Sequence, residues 1–422
     1  MSDHDALVRA VCAAPDDDTP RLVYADYLDD DGEADRAAFV RAQVELARTP
    51  GWEPFAVSCR HRTTAWAEPG APFRESLPPL PPGWNVAWHE RAFRRGLGWR
   101  LTVGSLHAWD ELAPALFERA PVGELHLRAP ATLDDWRRFA AADWVANLRA
   151  VHLEAGSPVE PVRALCGADA ATGITALFFH IAVSAGLPVL AADLFATPLG
   201  RGLRRVGFRL GQYVWLEELL DVLAAGPPGL TALDLEAMGL TPALVRRWCA
   251  AGGPARLTAL DLKDNYALGN DGVRALAAGL RAPTLEALGL AGAGAAGVGA
   301  KALAECPGLA GVRALDLSRN TFAPAAVRVL AGSPHLAGVR SLNLSRCQLG
   351  DLAVRRLVRA HFWPKLVELD LRDNPITDPG ARHLLAADVP PDLTALLLDG
   401  ARLGRDVRAA LGRHFGAAAI LG

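Results

Sequence analysis

Residues Leu257–Asn265 read LTALDLKDN. Near copies stand at Val312–Asn320 (VRALDLSRN) and Leu366–Asn374 (LVELDLRDN). The shared frame LxxLxL also begins at Leu230, Leu285, Val339 and Leu393, so seven starts recur with a near-constant period. Continuing backwards gives weaker copies starting at Leu203, Ile174, Leu148 and Val122, and a degenerate twelfth near Gly98 (GWRLTV). Numbering from the first apolar residue, positions 4 and 6 share one face of a strand, while 3, 5 and 7 share the other. Each frame is followed by a segment of helical period: Ala326, Val327, Val329 and Leu330 in one unit, Val354, Leu357 and Val358 in another. Thr241-Pro242 reads as an N-cap followed by proline in the first turn. A strand–helix unit cannot bury its own apolar face, so stacked units must share a continuous core.

Position 9 is Asn265, Asn320 or Asn374 in the three clearest copies and Cys347 in another. A small polar side chain there is expected to bond backbone groups leaving the sheet, which makes Cys347 structural. The pattern LxxLxLxxN/CxL resembles a leucine-rich repeat, and a unit of about 27–28 residues with a full helix resembles the ribonuclease-inhibitor-like subclass. The resemblance runs from about Gly98 to the C-terminus. It implies an α/β solenoid, a horseshoe with a parallel sheet on its concave face and helices on its convex face.

The first 48 residues are different in kind. They hold twelve acids and five bases, against 35 acids and 39 bases in the rest of the chain. DALVRAVCAA, RLVYADYLDD and ADRAAFVRAQVELAR read as three helices, with Thr19 as N-cap of the second. The acids are read as a solvated helical face in preference to a docking surface. The stretch from Ala13 to Ala47 closely resembles a short repeat-companion domain found at the N-terminus of bacterial leucine-rich-repeat proteins. The Arg-rich junction HERAFRRGLGWRLTV at His89–Val103 fits that resemblance, and Tyr27 departs from it where a Trp is common. The family implies no known activity. The expected organisation is an acidic helical domain over 1–49, a Pro-rich linker and cap over 50–97, and a solenoid of eleven to twelve repeats over 98–422. GRDVRAALGRHFGAAAIL is expected to cap its last repeat.

Net charge is −3 over 422 residues, which gives no global pointer to nucleic acid or a membrane surface. The most apolar window, Leu177–Ala196, contains His180, Pro188 and Asp193, which argues against a membrane span. MSDHDALVRAV has no basic region followed by an apolar run, so no secretory signal is expected. The six cysteines are scattered widely along the chain with no CxxC pair, as isolated thiols of a reducing cytoplasm would be.

Catalytic and cofactor motifs mostly fail. GAGAAG at Gly292–Gly297 matches GxGxxG between a predicted strand and helix, with Asp316 on the next strand. Its neighbours in phase lack those glycines, however, and Asp316 shares its slot with Asp234, Asp261 and Asp370. Gly299-Ala300-Lys301 lacks the GK[ST] ending of a P-loop, and His89-Glu90 lacks the second His of HExxH. The Asp-rich turn around Gly32 does not align with a calcium-binding EF-hand loop.

What remains is the outward strand face. Position 3 is usually Ala. Position 5 carries His126, His152, Phe178, Asp234, Asp261, Asp316, Asn343 and Asp370, and position 7 carries Arg128, Glu154, His180, Lys263 and Arg372 among others. Arg319 and Arg346 stand at the rim. The reading is a non-enzymatic, cytoplasmic, monomeric scaffold that binds a protein partner through Asp234, Asp261, Lys263, Asp316, Arg319, Arg346, Asp370 and Arg372. No nucleic acid, membrane, cofactor, metal or catalytic residue is expected. His126, His152 and His180, with Glu154 alongside, lie on consecutive strands, but their spacing specifies no metal. The alternatives are a regulator of a small GTPase, by analogy with eukaryotic members of the subclass, and a dinucleotide-binding enzyme.

Overall fold

The structure is a computed structural model that describes residues 2–48, 72–89, 92–128, 132–154, 159–181, 187–210, 215–280 and 284–421. Residues 50–71, 90 and 91 of the Pro-rich linker and cap expected over 50–97 therefore lie outside the described residues. The chain divides into two compact units. The first takes in the described residues up to Trp215 with Gly226–Leu230, and the second takes in Leu216–Ala225 with Thr231–Gly422.

The first unit opens with three helices, α1 (Asp3–Ala13), α2 (Thr19–Asp30) and α3 (Ala34–Arg48). Ser2 caps α1 in a capping box with Asp5. The second helix starts at Thr19 itself, whose N–H donates to Asp17 Oδ1 at 2.8 Å. Val11, Tyr24, Ala25, Leu28, Ala37 and Val40 form the core of the helical head. Two of its acids meet bases further along the chain: Asp16 lies 2.8 Å from Arg149 of the repeats, and Asp18 lies 3.5 Å from Arg95 of the hairpin before them. The head thus uses part of its acidic surface for docking, where the sequence reading favours a solvated face.

Strands β1 (Val86–Trp88), β2 (Phe93–Arg94), β3 (Leu97–Gly98) and β4 (Arg100–Val103) follow. The β2–β3 hairpin turns through Arg95 and Gly96, both with positive φ, as a two-residue loop with the right twist requires. Only glycine fits at 96, because a Cβ there would come within 2.6 Å of Val40. Its N–H donates to Gln43 Oε1, tying the hairpin to α3. Antiparallel β1 covers the edge of β4, and β4 is the degenerate twelfth repeat realised as a strand. Then β5 (Glu124–Leu127), β6 (Ala150–Leu153), β7 (Ala176–Ile181) and β8 (Arg205–Leu210) add in parallel, each beside the last.

In the second unit β9 (Ala232–Glu236), β10 (Ala259–Asp261), β11 (Ala287–Gly289), β12 (Ala314–Asp316), β13 (Ser341–Asn343), β14 (Glu368–Asp370), β15 (Ala395–Leu398) and β16 (Ala419–Leu421) pair in parallel and in chain order. The register is that of the repeat: Leu233, Leu260, Leu288, Leu315, Leu342, Leu369 and Leu396 lie side by side. Every described residue at positions 4 and 6, in both units, is at most 3% exposed. At about 2 kcal/mol per buried branched side chain, this double row is the main stabilising element. The C-terminal segment forms a helix, Arg405–Phe415, and β16, which pairs with β15 and is a strand the repeat frame does not predict.

Two further positions are structural. Position 8 has left-handed backbone in six successive repeats, at Ala237, Asp264, Gly292, Arg319, Arg346 and Asp373, with φ between 54° and 61°. Position 9 behaves as expected. Buried Asn320 donates to Leu290 O and Leu317 O, at 2.8 and 3.0 Å, and accepts from Ala295 N at 2.9 Å. Asn265 and Asn374 repeat this pattern, and the Cys347 thiol takes the slot by donating to Leu317 O at 3.1 Å. Thr241 caps its helix as predicted, its hydroxyl accepting from Leu244 N.

Candidate functional site

The outward face of the second unit carries the eight residues expected to bind a partner. The structure separates them. Asp261, Asp316 and Asp370 each turn a carboxylate oxygen back to accept the backbone N–H two residues on, at 2.9 to 3.0 Å. Asn343 makes the same bond to Ser345 N. This is an Asx turn that ends these four strands, so much of the position-5 column does structural work where the sequence reading expects a charged face. Asp370 is 1% exposed and Asp261 9%, while Asp234 and Asp316 are half-buried. Burial, reinforced by Asp234, pushes the Asp261 carboxyl up to about 7.

The basic residues keep more solvent contact, but each has an acid at hand. Lys263 lies 2.8 Å from Glu236, Arg346 lies 2.9 Å from Asp373, and Arg319 lies 2.8 Å from Asp264. Arg372 folds onto its own Asp370 at 2.6 Å. The face therefore carries three cross-repeat ion pairs and one, Arg372–Asp370, closed within its own repeat.

The GAGAAG run does not offer a cradle. Gly292 occupies the left-handed position-8 slot and Gly294 has φ 70°. The N–H of Gly292 donates to Ser318 O, that of Ala295 to Asn320 and those of Ala296 and Gly299 to Asn270. These N–H groups are thus bonded within the chain and not left for a phosphate.

The first unit builds a denser polar site, which the sequence reading only half shows. Strand β5 places Glu124 at position 3 and His126 at position 5 on one face, and β6 sets His152 directly beside His126. Glu124 Oε1 lies 3.3 Å from His126 Nε2 and 3.2 Å from His152 Nε2. The far nitrogens are held as well: His126 Nδ1 lies 2.7 Å from Glu154 Oε1, and His152 Nδ1 lies 3.2 Å from His180 Nε2. Arg100 donates to Glu124 Oε2 at 2.7 Å, and Arg128 donates to Glu154 Oε2 at 2.5 Å.

The rings stack across the strands. His89 lies on His126 at 4.3 Å between centroids, His126 on His152 at 3.9 Å, and His152 on Phe178 at 4.1 Å. Phe178 in turn covers Gly207, where a Cβ would come within 2.3 Å of its ring.

Charge in this cluster is finely divided. Burial opposes ionisation of Glu124, but Arg100, His126 and His152 outweigh it and hold its carboxyl well below the usual range. Glu154 is drawn down to about 2 by His126 and, against some burial, by Arg128. Burial pulls His126 down too, yet its two carboxylate partners reverse this and raise it. His152, with one carboxylate and a cationic neighbour, is lowered chiefly by burial. His89 is lowered to about 4 by burial and by His126.

Of the histidine trio singled out in the sequence, His126 and His152 converge, while His180 and Glu154 stand behind them. The residues missed are Glu124 and Arg100. The available signal is Glu124 itself: a carboxylate at position 3, where Ala is the rule, two residues before a histidine on the same strand face.

Comparison with known proteins places the repeats. The Leucine Rich repeat family model matches residues 256–277, 339–358 and 364–385. A chain of the Rad7–Elc1 complex crystal structure from yeast is similar over 74% of this chain and 82% of its own length, with TM-score 0.51 and 15% identity. An internalin (inlF) from Listeria monocytogenes is similar over 69% and 70% respectively, with TM-score 0.31 and 14% identity. No curated protein matches the chain. The chain thus carries leucine-rich repeats, and its fold is the α/β architecture they build. Among the described residues no helix is long and apolar enough to cross a membrane.

Proposed function

We propose that this chain is a non-enzymatic scaffold that recognises a protein partner through the outward strand face of its second unit. The observation that carries the reading is the register. Seven successive parallel strands, from β9 to β15, hold positions 3 and 5 in unbroken rows, so side chains one repeat apart in the chain become neighbours on one rigid surface. Leucine-rich repeats found by the family model, and a structural neighbour taken from a complex of two proteins, agree with this use.

The anchors we assign are Lys263, Arg319 and Arg346, whose side chains stay 39%, 37% and 64% exposed. Asp234, Asp261, Asp316, Asp370 and Arg372 hold the surface in shape beneath them. We further assign the repeats to the ribonuclease-inhibitor-like type, the head to the bacterial repeat-companion family, and the protein to the cytoplasm as a monomer. These rest on the sequence patterns alone.

The test is crosslinking affinity capture from native lysate with wild type beside the triple variant Lys263→Gln, Arg319→Gln and Arg346→Gln. Arg372 is left in place because its removal would strip buried Asp370 of its counter-charge. A partner held by wild type and lost by the variant, at equal circular dichroism, supports the reading. A partner held equally by both moves recognition off this face.

A further inference from the structure

We propose that Glu124, His126 and His152 form a binding site for one divalent transition-metal ion, zinc being the best match to the donors. The proposal is independent of the partner-binding reading, since it concerns other strands and another unit.

The backbone does the gathering. Residues 124 and 126 lie two apart on β5, so they share a face, and parallel pairing puts residue 152 of β6 in register with 126. One carboxylate oxygen and two imidazole nitrogens thereby come within 4.8 Å of one another. The Glu124 oxygen stands 3.3 and 3.2 Å from the two nitrogens. Donor atoms about 2.0–2.1 Å from a tetrahedral zinc are about 3.3 Å from each other. The purely charge-assisted contacts of the same cluster, Arg100 to Glu124 and His126 to Glu154, are both 2.7 Å. The two Glu124–His distances therefore match those between ligands sharing a cation, and are longer than the tight charge-assisted bonds beside them.

The supporting contacts match what a metal site needs. Each ligand's far atom is held by another side chain: Glu124 Oε2 by Arg100, His126 Nδ1 by Glu154 and His152 Nδ1 by His180. Such partners fix ring orientation and raise donor strength. Two imidazoles and a carboxylate suit zinc, cobalt(II), nickel(II) or iron(II), and do not suit calcium or magnesium, which take oxygen donors. The formal charges of Glu124 and Glu154 are balanced by Arg100 and Arg128. Binding also makes a structural demand. The His126 and His152 rings are 10° from parallel at 3.9 Å, so both must turn out of their stack for their Nε2 lone pairs to meet at one point. Three protein ligands leave a fourth position for water or an incoming donor.

The experiment is zinc titration of the full chain by calorimetry, with cobalt(II) absorption as a second readout. We expect saturable binding of about one equivalent and visible cobalt bands that zinc displaces. His152→Gln and Glu124→Gln should weaken binding at least ~100-fold, and Glu154→Gln ~10-fold, at unchanged circular dichroism. His107→Gln, at a histidine 80% exposed on the helix Leu106–Phe117, should leave binding unchanged. Wild type that shows no saturable binding overturns the proposal without recourse to any variant. So does an affinity that survives His152→Gln, or one that His107→Gln abolishes.

Discussion

Arg319 reaches over Gly292 to place its guanidinium 2.8 Å from Asp264, two repeats away. The repeat between them contributes no side chain at that position, which is what leaves the path open. Tyr266 Oη donates to the same Asp264 oxygen at 3.0 Å. A Cβ at Gly292 would stand 2.9 Å from that oxygen and 3.2 Å from the Tyr266 ring, on backbone with φ 61°. Gly292→Ala should therefore cost about 1–2 kcal/mol, more than left-handed backbone alone would. Urea unfolding of Gly292→Ala beside Arg319→Gln measures this. A double variant no worse than the worse single would show that both act through the one ion pair, and a neutral Gly292→Ala would refute the account.

The position-9 slot makes a graded prediction. Asn320→Ala removes four buried hydrogen bonds and leaves the Ala295 N–H without its acceptor, so it should cost about 2–3 kcal/mol. Cys347→Ala should cost about 1 kcal/mol, because the thiol is a weaker donor with fewer partners. Burial pushes the Cys347 thiol up to about 12. It should resist a disulfide reagent in the native protein and react once urea unfolds the chain. Rapid native labelling of Cys347 would contradict its placement.

Asp261 predicts a pH dependence. Its carboxyl is raised from 3.8 to about 7 by burial and by Asp234, against the pull of Lys263 and with a further push from Asp316. Between those two values the native chain binds more protons than the unfolded chain, so this group lowers stability as pH rises through the window and adds no further change above it. Asp261→Asn should remove that slope. It should match wild type near pH 4 and exceed it at pH 8. The substitution keeps the acceptor for Lys263 N–H, as Asn343 does natively for Ser345. Parallel stability–pH curves for the two proteins would refute the assignment.

Much of the fold is legible because its signal is local. The alternation of Leu260 and Leu262 with Asp261, the helical period after each frame and Asn at position 9 all lie within a few residues of one another. Their recurrence from repeat to repeat multiplies that signal. The hydrogen bonds of Asn320 are expected from its slot, and the structure places them there. The candidate site is less legible. His126 and His152 are visible as a column, but Glu124 is passed over because position 3 is mostly Ala.

The sequence alone determined which residues are core, which face is outward and where each strand must start, since these follow from periodicity. Only the tertiary structure decided what the outward polar residues do. It turned Asp261 and Asp370 back onto their own backbone, sent Arg319 across Gly292 to Asp264, and joined Glu124 to His152 and His126 to Glu154. The cross-strand partners lie one or two repeats apart in the chain, and which of several acids a given base or histidine meets depends on side-chain direction across paired strands. A period fixes rows; it does not fix which members of neighbouring rows touch.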